Sequence, residues 1–147
     1  GGLELGRINV AARGVGIAQA ALEKALRYAQ ERSAFGKPIW NHQAIQLKLA
    51  DMATQLEGAR RLIEAAARKY DAGERCDLEA AMAKLAGSEA GANCAQEAMR
   101  IFGGYSYSVE YEIERYYRDA MLMCIGEGSN EILRTVIAKQ LIARHLI

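Results

Sequence analysis

Apolar residues recur at alternating steps of three and four along three long segments of this 147-residue sequence. The segments run from about Leu3 to Gln30, from Asn41 to Tyr70 and from Asp77 to Phe102. This spacing places the apolar side chains on one face of an α-helix, so each segment predicts a helix with one buried stripe. The single proline, Pro38, falls between the first two segments, where a helix is expected to end.

The stripes define the expected core. They comprise Ile8, Ala11, Val15, Ala18, Leu22, Ala25 and Ala29, then Ile45, Leu49, Met52, Leu56, Ala59, Ile63, Ala66 and Tyr70, then Leu78, Ala81, Leu85, Ser88, Ala92, Ala95, Met99 and Phe102. Many of these residues are alanine, which allows helices to approach closely. Asp77 is the expected N-cap of the third helix.

Two further helices are expected in the last third of the chain. A short helix is predicted over Val109 to Tyr117, and a fourth long one from near Ser129 to the end. The apolar stripe of the long helix is Ile132, Val136, Leu141 and Ile142. No segment alternates as a strand does. The sustained repeat and the short links predict an all-α fold, an antiparallel up-down four-helix bundle, over residues 1–147 as a single domain.

Composition excludes several classes of function. Nineteen basic and eighteen acidic residues nearly cancel and are interspersed, which argues against a nucleic-acid partner. No apolar run is long enough to cross a membrane. The three cysteines (Cys76, Cys94 and Cys124) match no zinc or redox spacing, so they are interpreted as packing residues in a reducing compartment.

A metal site is not expected. A ferritin-like di-iron centre needs Glu-x-x-His pairs, but Ile39 and Ile142 stand three residues before His42 and His145, the two histidines. The sequence also begins with Gly1-Gly2 rather than methionine, so we interpret it as a processed chain or an excised fragment.

Three stretches interrupt the helical pattern. In Arg32–Pro38 an arginine, a ring and a glycine could hold a phosphate and a flat ligand, although a helix C-cap is the favoured interpretation. Arg100–Ser108 contains paired glycines, and a ligand loop and a plain connection are about equally supported. In Gly126-Glu127-Gly128 a carboxylate flanked by glycines precedes a helix start, and here a functional role is favoured.

Together these stretches resemble the acyl-CoA dehydrogenase family. The matching blocks, in order, are Glu31–Pro38, Gln43–Met52, Ala80–Ala86, Gly103–Tyr105, Glu114–Ala120 and Glu127–Ile132. The resemblance covers essentially the whole chain and implies the C-terminal four-helix domain, without the N-terminal helical and middle β domains. It also implies oxidation of an acyl-CoA thioester to the trans-2-enoyl-CoA, with FAD as cofactor.

The resemblance implies a role for individual residues. Glu127 matches the catalytic base, and Glu4, Arg7 and Gly128 match positions near the substrate. The implied cofactor contacts are Arg32, Phe35, Gln43, Arg100, Gly103, Gly104, Ser129, Asn130 and Glu131. Those from Arg100 to Gly104 match a loop that reaches the FAD of a neighbouring subunit, so a dimer of dimers is implied. Electron-transferring flavoprotein is the implied redox partner.

Two positions depart from the family pattern, and a third distinguishes between groups of family members. Some members carry the base on the first helix, at the position of Gly6, which cannot act as one. Arg100 stands where glutamine is usual. Gly126 replaces the usual tyrosine before the base, which predicts a broadened or branched acyl pocket. The chain as a whole resembles the short- and branched-chain members of the family.

Several expectations follow for the protein as a whole. The isolated fragment is expected to be inactive, to bind FAD weakly or not at all, and to associate through its bundle faces. The compartment implied is the bacterial cytoplasm, or the mitochondrial matrix in a eukaryote. An acyl-CoA oxidase domain and a non-catalytic helical module remain the alternatives.

Overall fold

The computed structural model describes residues 2–146, and they form five α-helices. These are α1 (Gly2–Glu31), α2 (Gln43–Asp71), α3 (Asp77–Phe102), α4 (Ile113–Ile125) and α5 (Asn130–Arg144). Three short 3-10 turns cover Ile39–Asn41, Gly103–Tyr107 and Val109–Tyr111. The predicted all-α class is confirmed. Within residues 2–146, none of the helices combines the length and the apolar character needed to span a bilayer.

The three long helices form the body of the bundle. Side-chain contacts pair Arg60 with Gln19 across α2 and α1, and Lys69 with Glu79 across α2 and α3. Lys48 of α2 also contacts Glu97 of α3, so the contacts move down α3 as they move up α2, and these two helices are antiparallel. Gly87 meets Ala11 and Gly91 meets Gly14, so α1 and α3 run in the same direction and pack side by side. Both α4 and α5 pack against α3.

Helices α1 and α3 approach so closely that their backbones touch. A Cβ atom added to Gly14 would lie 2.3 Å from the carbonyl oxygen of Gly87, and one on Gly87 would lie 2.7 Å from that of Ala11. Gly91 meets the carbonyl of Gly14 in the same way, at 2.8 Å. Since real Cβ atoms never come this close to backbone, only glycine fits at these three positions. The expectation of close helix approach is thus confirmed, and glycine takes it further than alanine would.

The predicted boundaries hold to within a few residues for the three long helices, with two local differences. Cys76 occupies the N-cap position of α3, so Asp77 is its first helical residue. The prediction that no strand occurs was wrong. Ser33–Ala34 and Lys37–Pro38 form a two-residue antiparallel ladder around Phe35 and Gly36, whose φ angles of 54° and 81° match a type I′ hairpin turn.

The short helix expected over Val109 to Tyr117 was also misplaced. A 3-10 turn occupies Val109–Tyr111, and Glu112, with a left-handed φ of 62°, separates it from α4. Helix α4 then continues to Ile125. Its buried residues, Ile113, Ala120 and Met123, recur at helical spacing on one face, whereas Leu122 and Ile125 are exposed.

The core stripe predicted for the last helix was wrong at three of its four positions. Ile132, Leu141 and Ile142 are exposed, and only Leu133 of the apolar residues of α5 is fully buried. The cause is that α5 lies on the outside of the bundle, where α3 is its principal neighbour.

Candidate active site

The turn between α4 and α5 carries the predicted base. It contains Gly126, Glu127, Gly128 and Ser129, and its backbone amide at Gly126 bonds the carbonyl of Leu122 at 2.9 Å. Glu127 and Gly128 have φ angles of 58° and 94°. A positive φ is ordinary for glycine but strained for glutamate, by roughly 1–3 kcal/mol. Such strain persists only where the surrounding structure fixes it, so the Glu127 conformation is held from outside the turn.

The carboxylate of Glu127 rests on the bare backbone of Gly6 in α1. A Cβ atom on Gly6 would lie 2.7 Å from Oε2 and 2.8 Å from Cδ of Glu127. A side chain at position 6 would therefore displace the Glu127 carboxylate from this place, whereas glycine inside α1 leaves that place free. The residue Glu127 is exposed, so its carboxylate is open to a ligand.

Two residues matched to the substrate, Arg7 and Gly128, are the chain neighbours of Gly6 and Glu127. Glu4 projects from another face of α1 and lines a cleft with residues 73–77 at the α2–α3 loop. Arg7 Nε is buried and finds no hydrogen-bond partner among the residues described. The structure thus places Arg7 and Gly128, but not Glu4, next to the predicted base, and the substrate contacts of all three stay predictions.

A lysine that sequence reasoning missed lies beneath the turn. Lys84 of α3 is fully buried, and its Nζ donates to the carbonyl oxygen of Gly128 at 2.7 Å and to Oδ1 of Asn130 at 2.8 Å. A sequence signal did exist. Lys84 shares a helix face with Ala80, Gly87 and Gly91, and a lysine within such a small-residue stripe must be buried.

Ser129, Asn130 and Glu131, which follow Gly128, differ in exposure. Ser129 occupies the N-cap position of α5 and is half-buried, whereas Glu131 is exposed. Hydrogen bonds from its own backbone amide and from Ser129 lower the pKa of Glu131. Asn130 is only 4% exposed, and its side-chain oxygen is occupied by Lys84 and Ser88. The cofactor contacts predicted for all three stay predictions, and for Asn130 the structure adds a role inside the chain.

A second cluster forms at the opposite end of the bundle. Arg32, Gly103 and Gly104 line one cleft, with Arg32 Cζ 5.7 Å from the ring centre of Tyr105. The floor of the cleft includes Tyr28 and Phe102, whose rings stack with centres 4.1 Å apart. The structure therefore joins two of the interrupted stretches that the sequence alone could not relate to each other.

Three other predicted cofactor residues border this end of the molecule. Phe35, at the tip of the hairpin, is 96% exposed. Its ring is nearly perpendicular to that of His42, with the ring centres 5.9 Å apart. Gln43 is exposed at the first position of α2. Arg100 is exposed in the last turn of α3 and forms an ion pair with Glu97, on the side that faces α2.

The two clusters are far apart. Gly6 and Arg32 are separated by most of α1, which corresponds to about 40 Å at 1.5 Å per residue. The Glu127 carboxylate thus lies at one end of the α1–α3 pair, and the Arg32 cleft lies at the other.

Comparison with known proteins decides the family. The model of the acyl-CoA dehydrogenase C-terminal domain matches residues 1–142. The chain belongs to the acyl-CoA dehydrogenase family. It is 47% identical to the 3-(aryl)acrylate reductase of Clostridium sporogenes and 51% identical to the mitochondrial short-chain specific acyl-CoA dehydrogenase of Bos taurus, over 95% of the chain in each case.

Solved structures agree with this assignment. Butyryl-CoA dehydrogenase from Megasphaera elsdenii superposes with a TM-score of 0.93 at 45% identity, over 95% of this chain and 37% of that one. The chain likewise spans only 37% and 34% of the Clostridium and Bos taurus proteins. The resemblance inferred from the sequence is confirmed, and this acyl-CoA dehydrogenase domain corresponds to about a third of such an enzyme.

Proposed function

We propose that the enzyme containing this domain oxidises an acyl-CoA thioester to the trans-2-enoyl-CoA with FAD, and that Glu127 is the catalytic base. The observation that carries the proposal is the Glu127 turn. An exposed carboxylate is held in a strained backbone conformation and seated on a helix that leaves it room only because residue 6 is glycine. Strain of this kind concentrates at functional sites.

The chemistry asked of Glu127 is removal of one proton. Its carboxylate oxygen takes the proton from the α-carbon, and the electron pair of that C–H bond becomes the new α,β double bond. FAD, when bound, accepts the hydride that leaves the β-carbon. Because the proton and the hydride leave together, little negative charge accumulates on the thioester. Gly126 and Gly128 leave both sides of the carboxylate unshielded by side chains.

The residues of the distant cleft fit a dinucleotide. Arg32 supplies an exposed guanidinium for a diphosphate, and Gly103 and Gly104 leave backbone accessible beside it. An extended FAD molecule is shorter than the roughly 40 Å of α1 between this cleft and Glu127. One flavin therefore cannot contact both clusters of one subunit. This supports a flavin shared between subunits, and hence the dimer or tetramer that the sequence resemblance implies.

The hairpin aromatic provides a test of the cleft. Phe35→Asn is expected to leave the stability of the fold unchanged or slightly higher, because the ring is exposed and asparagine accepts the left-handed conformation better. We expect the same substitution to weaken FAD retention in the intact enzyme, measured by flavin content after dialysis. Tyr107→Asn, which removes another exposed ring, is the matched control.

Gly126 supports a broad acyl pocket. A Cβ atom there would lie 3.4 Å from the Leu122 carbonyl oxygen, with no other non-neighbouring atom of the described residues within 4 Å, so the turn has room for a side chain next to Glu127 in sequence. The similarity to a reductase of aryl acrylates agrees with a pocket that accepts bulky acyl groups. We expect Gly126→Tyr to lower kcat/KM for 3-phenylpropionyl-CoA much more than for butyryl-CoA. Equal effects on both substrates would contradict the wide pocket.

The remaining partners are proposed on the same basis. Electron-transferring flavoprotein would accept the electrons, and the enzyme would act in the bacterial cytoplasm or, in a eukaryote, the mitochondrial matrix. The isolated 147 residues would be inactive, since they supply one face of the reaction site.

Anaerobic mixing of the intact flavin-loaded enzyme with butyryl-CoA and with 3-phenylpropionyl-CoA tests the function directly. Bleaching of the oxidised flavin absorbance by either thioester is the expected result. Reduction that oxygen rapidly reverses would indicate an oxidase. A protein that binds no flavin, or is bleached by neither compound, would favour the non-catalytic module.

A further inference from the structure

Lys84 binds both sides of the turn that carries Glu127. Its three donors reach the carbonyl oxygen of Gly128 at 2.7 Å, Oδ1 of Asn130 at 2.8 Å and the carbonyl oxygen of Cys124 at 3.3 Å. Cys124 lies three residues before Glu127, and the other two acceptors follow it within three residues. We call Lys84, Ser88 and Asn130, with these two carbonyls, the Lys84 cluster.

The cluster explains what holds the strained backbone in place. A carbonyl in the last turn of α4 lacks a partner within its own helix, and a cation there satisfies it and complements the helix dipole. The bond to Gly128 fixes the peptide directly after Glu127. Together they fix where the turn leaves α4 and where it enters α5, so Glu127 cannot relax to a negative φ without breaking these bonds.

Burial of a lysine among neutral acceptors is costly, which makes a purely packing role a poor account of it. Lys84 is 0% exposed, and all three of its acceptors are uncharged. Burial lowers the pKa of Lys84. An apolar side chain of similar length would fill the same space without this cost. Such an apolar side chain would, however, lose the hydrogen bonds that Lys84 donates to the turn.

The cluster continues one step further into the core. Ser88 is fully buried one helical turn after Lys84, and its Oγ lies 2.8 Å from the Lys84 carbonyl oxygen and 3.0 Å from Asn130 Oδ1. Asn130 thus receives contacts from two residues of α3. These contacts tie the turn to α3. Helix α3 packs against the backbone of α1, and the Glu127 carboxylate rests on α1.

We infer that Lys84 is a positioning residue, which keeps the Glu127 turn in its strained conformation and so places the carboxylate for proton removal. This inference rests on the proposed function of Glu127. It requires that Lys84 itself touch neither substrate nor flavin, in agreement with its complete burial.

Lys84→Met in the intact, flavin-loaded enzyme tests the inference, with Lys24→Met as control. Lys24 forms a half-exposed ion pair with Glu112, away from the turn. The measurement is the single-turnover rate of flavin bleaching by butyryl-CoA, expressed per bound flavin. We expect this rate to fall on the order of 10²-fold for Lys84→Met, because the base is displaced, and to stay unchanged for Lys24→Met. Deuterium at the α-carbon of butyryl-CoA should slow flavin bleaching by a larger factor in Lys84→Met than in the wild-type enzyme.

The outcomes separate the possible failures. A Lys84→Met enzyme that loses flavin but bleaches at the wild-type rate per bound flavin shows a merely structural lysine and overturns the inference. If Lys84→Met cannot be purified with flavin, Ser88→Ala replaces it, with a severalfold slower rate expected and an unchanged rate counting against the inference. A wild-type enzyme that neither butyryl-CoA nor 3-phenylpropionyl-CoA bleaches would instead refute the proposed function.

Discussion

Replacement of Glu127 by glutamine in the intact enzyme is expected to lower kcat on the order of 10²–10⁴-fold, the range for loss of a positioned general base. Glutamine keeps the size of the side chain and its seat on Gly6 but cannot accept the α-proton. Flavin content and KM should change little. The rate of flavin bleaching by the thioester substrate is the measurement, and Glu64→Gln is the control, because that carboxylate pairs with arginines on the surface of α2.

The contact between Glu127 and Gly6 allows a stricter test. The side chain of a glutamate at position 6 would overlap the space that the Glu127 carboxylate now occupies, because its Cβ would lie 2.7 Å from Glu127 Oε2. Gly6→Glu alone should therefore disturb the site. Combined with Glu127→Gly, which vacates the space and relieves the positive φ, it should recover part of the turnover that Glu127→Gly loses. Full activity in Glu127→Gln would refute the assignment of the base.

Substitution of Gly14 by alanine is expected to produce the largest loss of stability. The added Cβ would lie 2.3 Å from the Gly87 carbonyl oxygen, which is backbone and cannot rotate away. Helices α1 and α3 would have to separate along their length, so we expect the free energy of unfolding to fall by about 3 kcal/mol. Urea unfolding followed by circular dichroism measures it.

The control for this prediction lies two residues further along the same helix. A Cβ atom on Gly16 would meet nothing within 4 Å. Gly16→Ala should therefore raise the free energy of unfolding by roughly 0.5–1 kcal/mol, because alanine loses less backbone entropy in a helix. Opposite signs for the two substitutions are the expected result. Similar losses for both would show that the backbone contact between α1 and α3 is unimportant.

The body of the fold was accessible from the sequence because its signal is periodic. Residues such as Ala18, Met52 and Ala95 lie where steps of three and four place them, and all are buried. The periodic pattern of apolar residues failed to predict the core of α5, which packs mainly against one helix, α3. Helix α5 carries apolar residues on the predicted stripe, but Ile132 and Leu141 are exposed, since α3 is the principal neighbour of α5 among residues 2–146.

The site was accessible only in part. The glycines around Glu127 drew attention to the turn, and the family resemblance supplied Glu4 and Arg7 before any contact was known. The family resemblance already linked position 6 with the base, but the contact between Gly6 and the Glu127 carboxylate required the fold. The small-residue stripe of α3 could have predicted the burial of Lys84, but the bonds that Lys84 donates to the Glu127 turn required the fold.

The glycine contacts between α1 and α3 have a mechanical consequence. Two helices joined backbone to backbone slide or tilt far less easily than two helices separated by layers of flexible side chains. One member of the pair bears the seat of the carboxylate, and the other anchors the turn that presents it. The alignment of Glu127 therefore depends on two helices that are held firmly against each other.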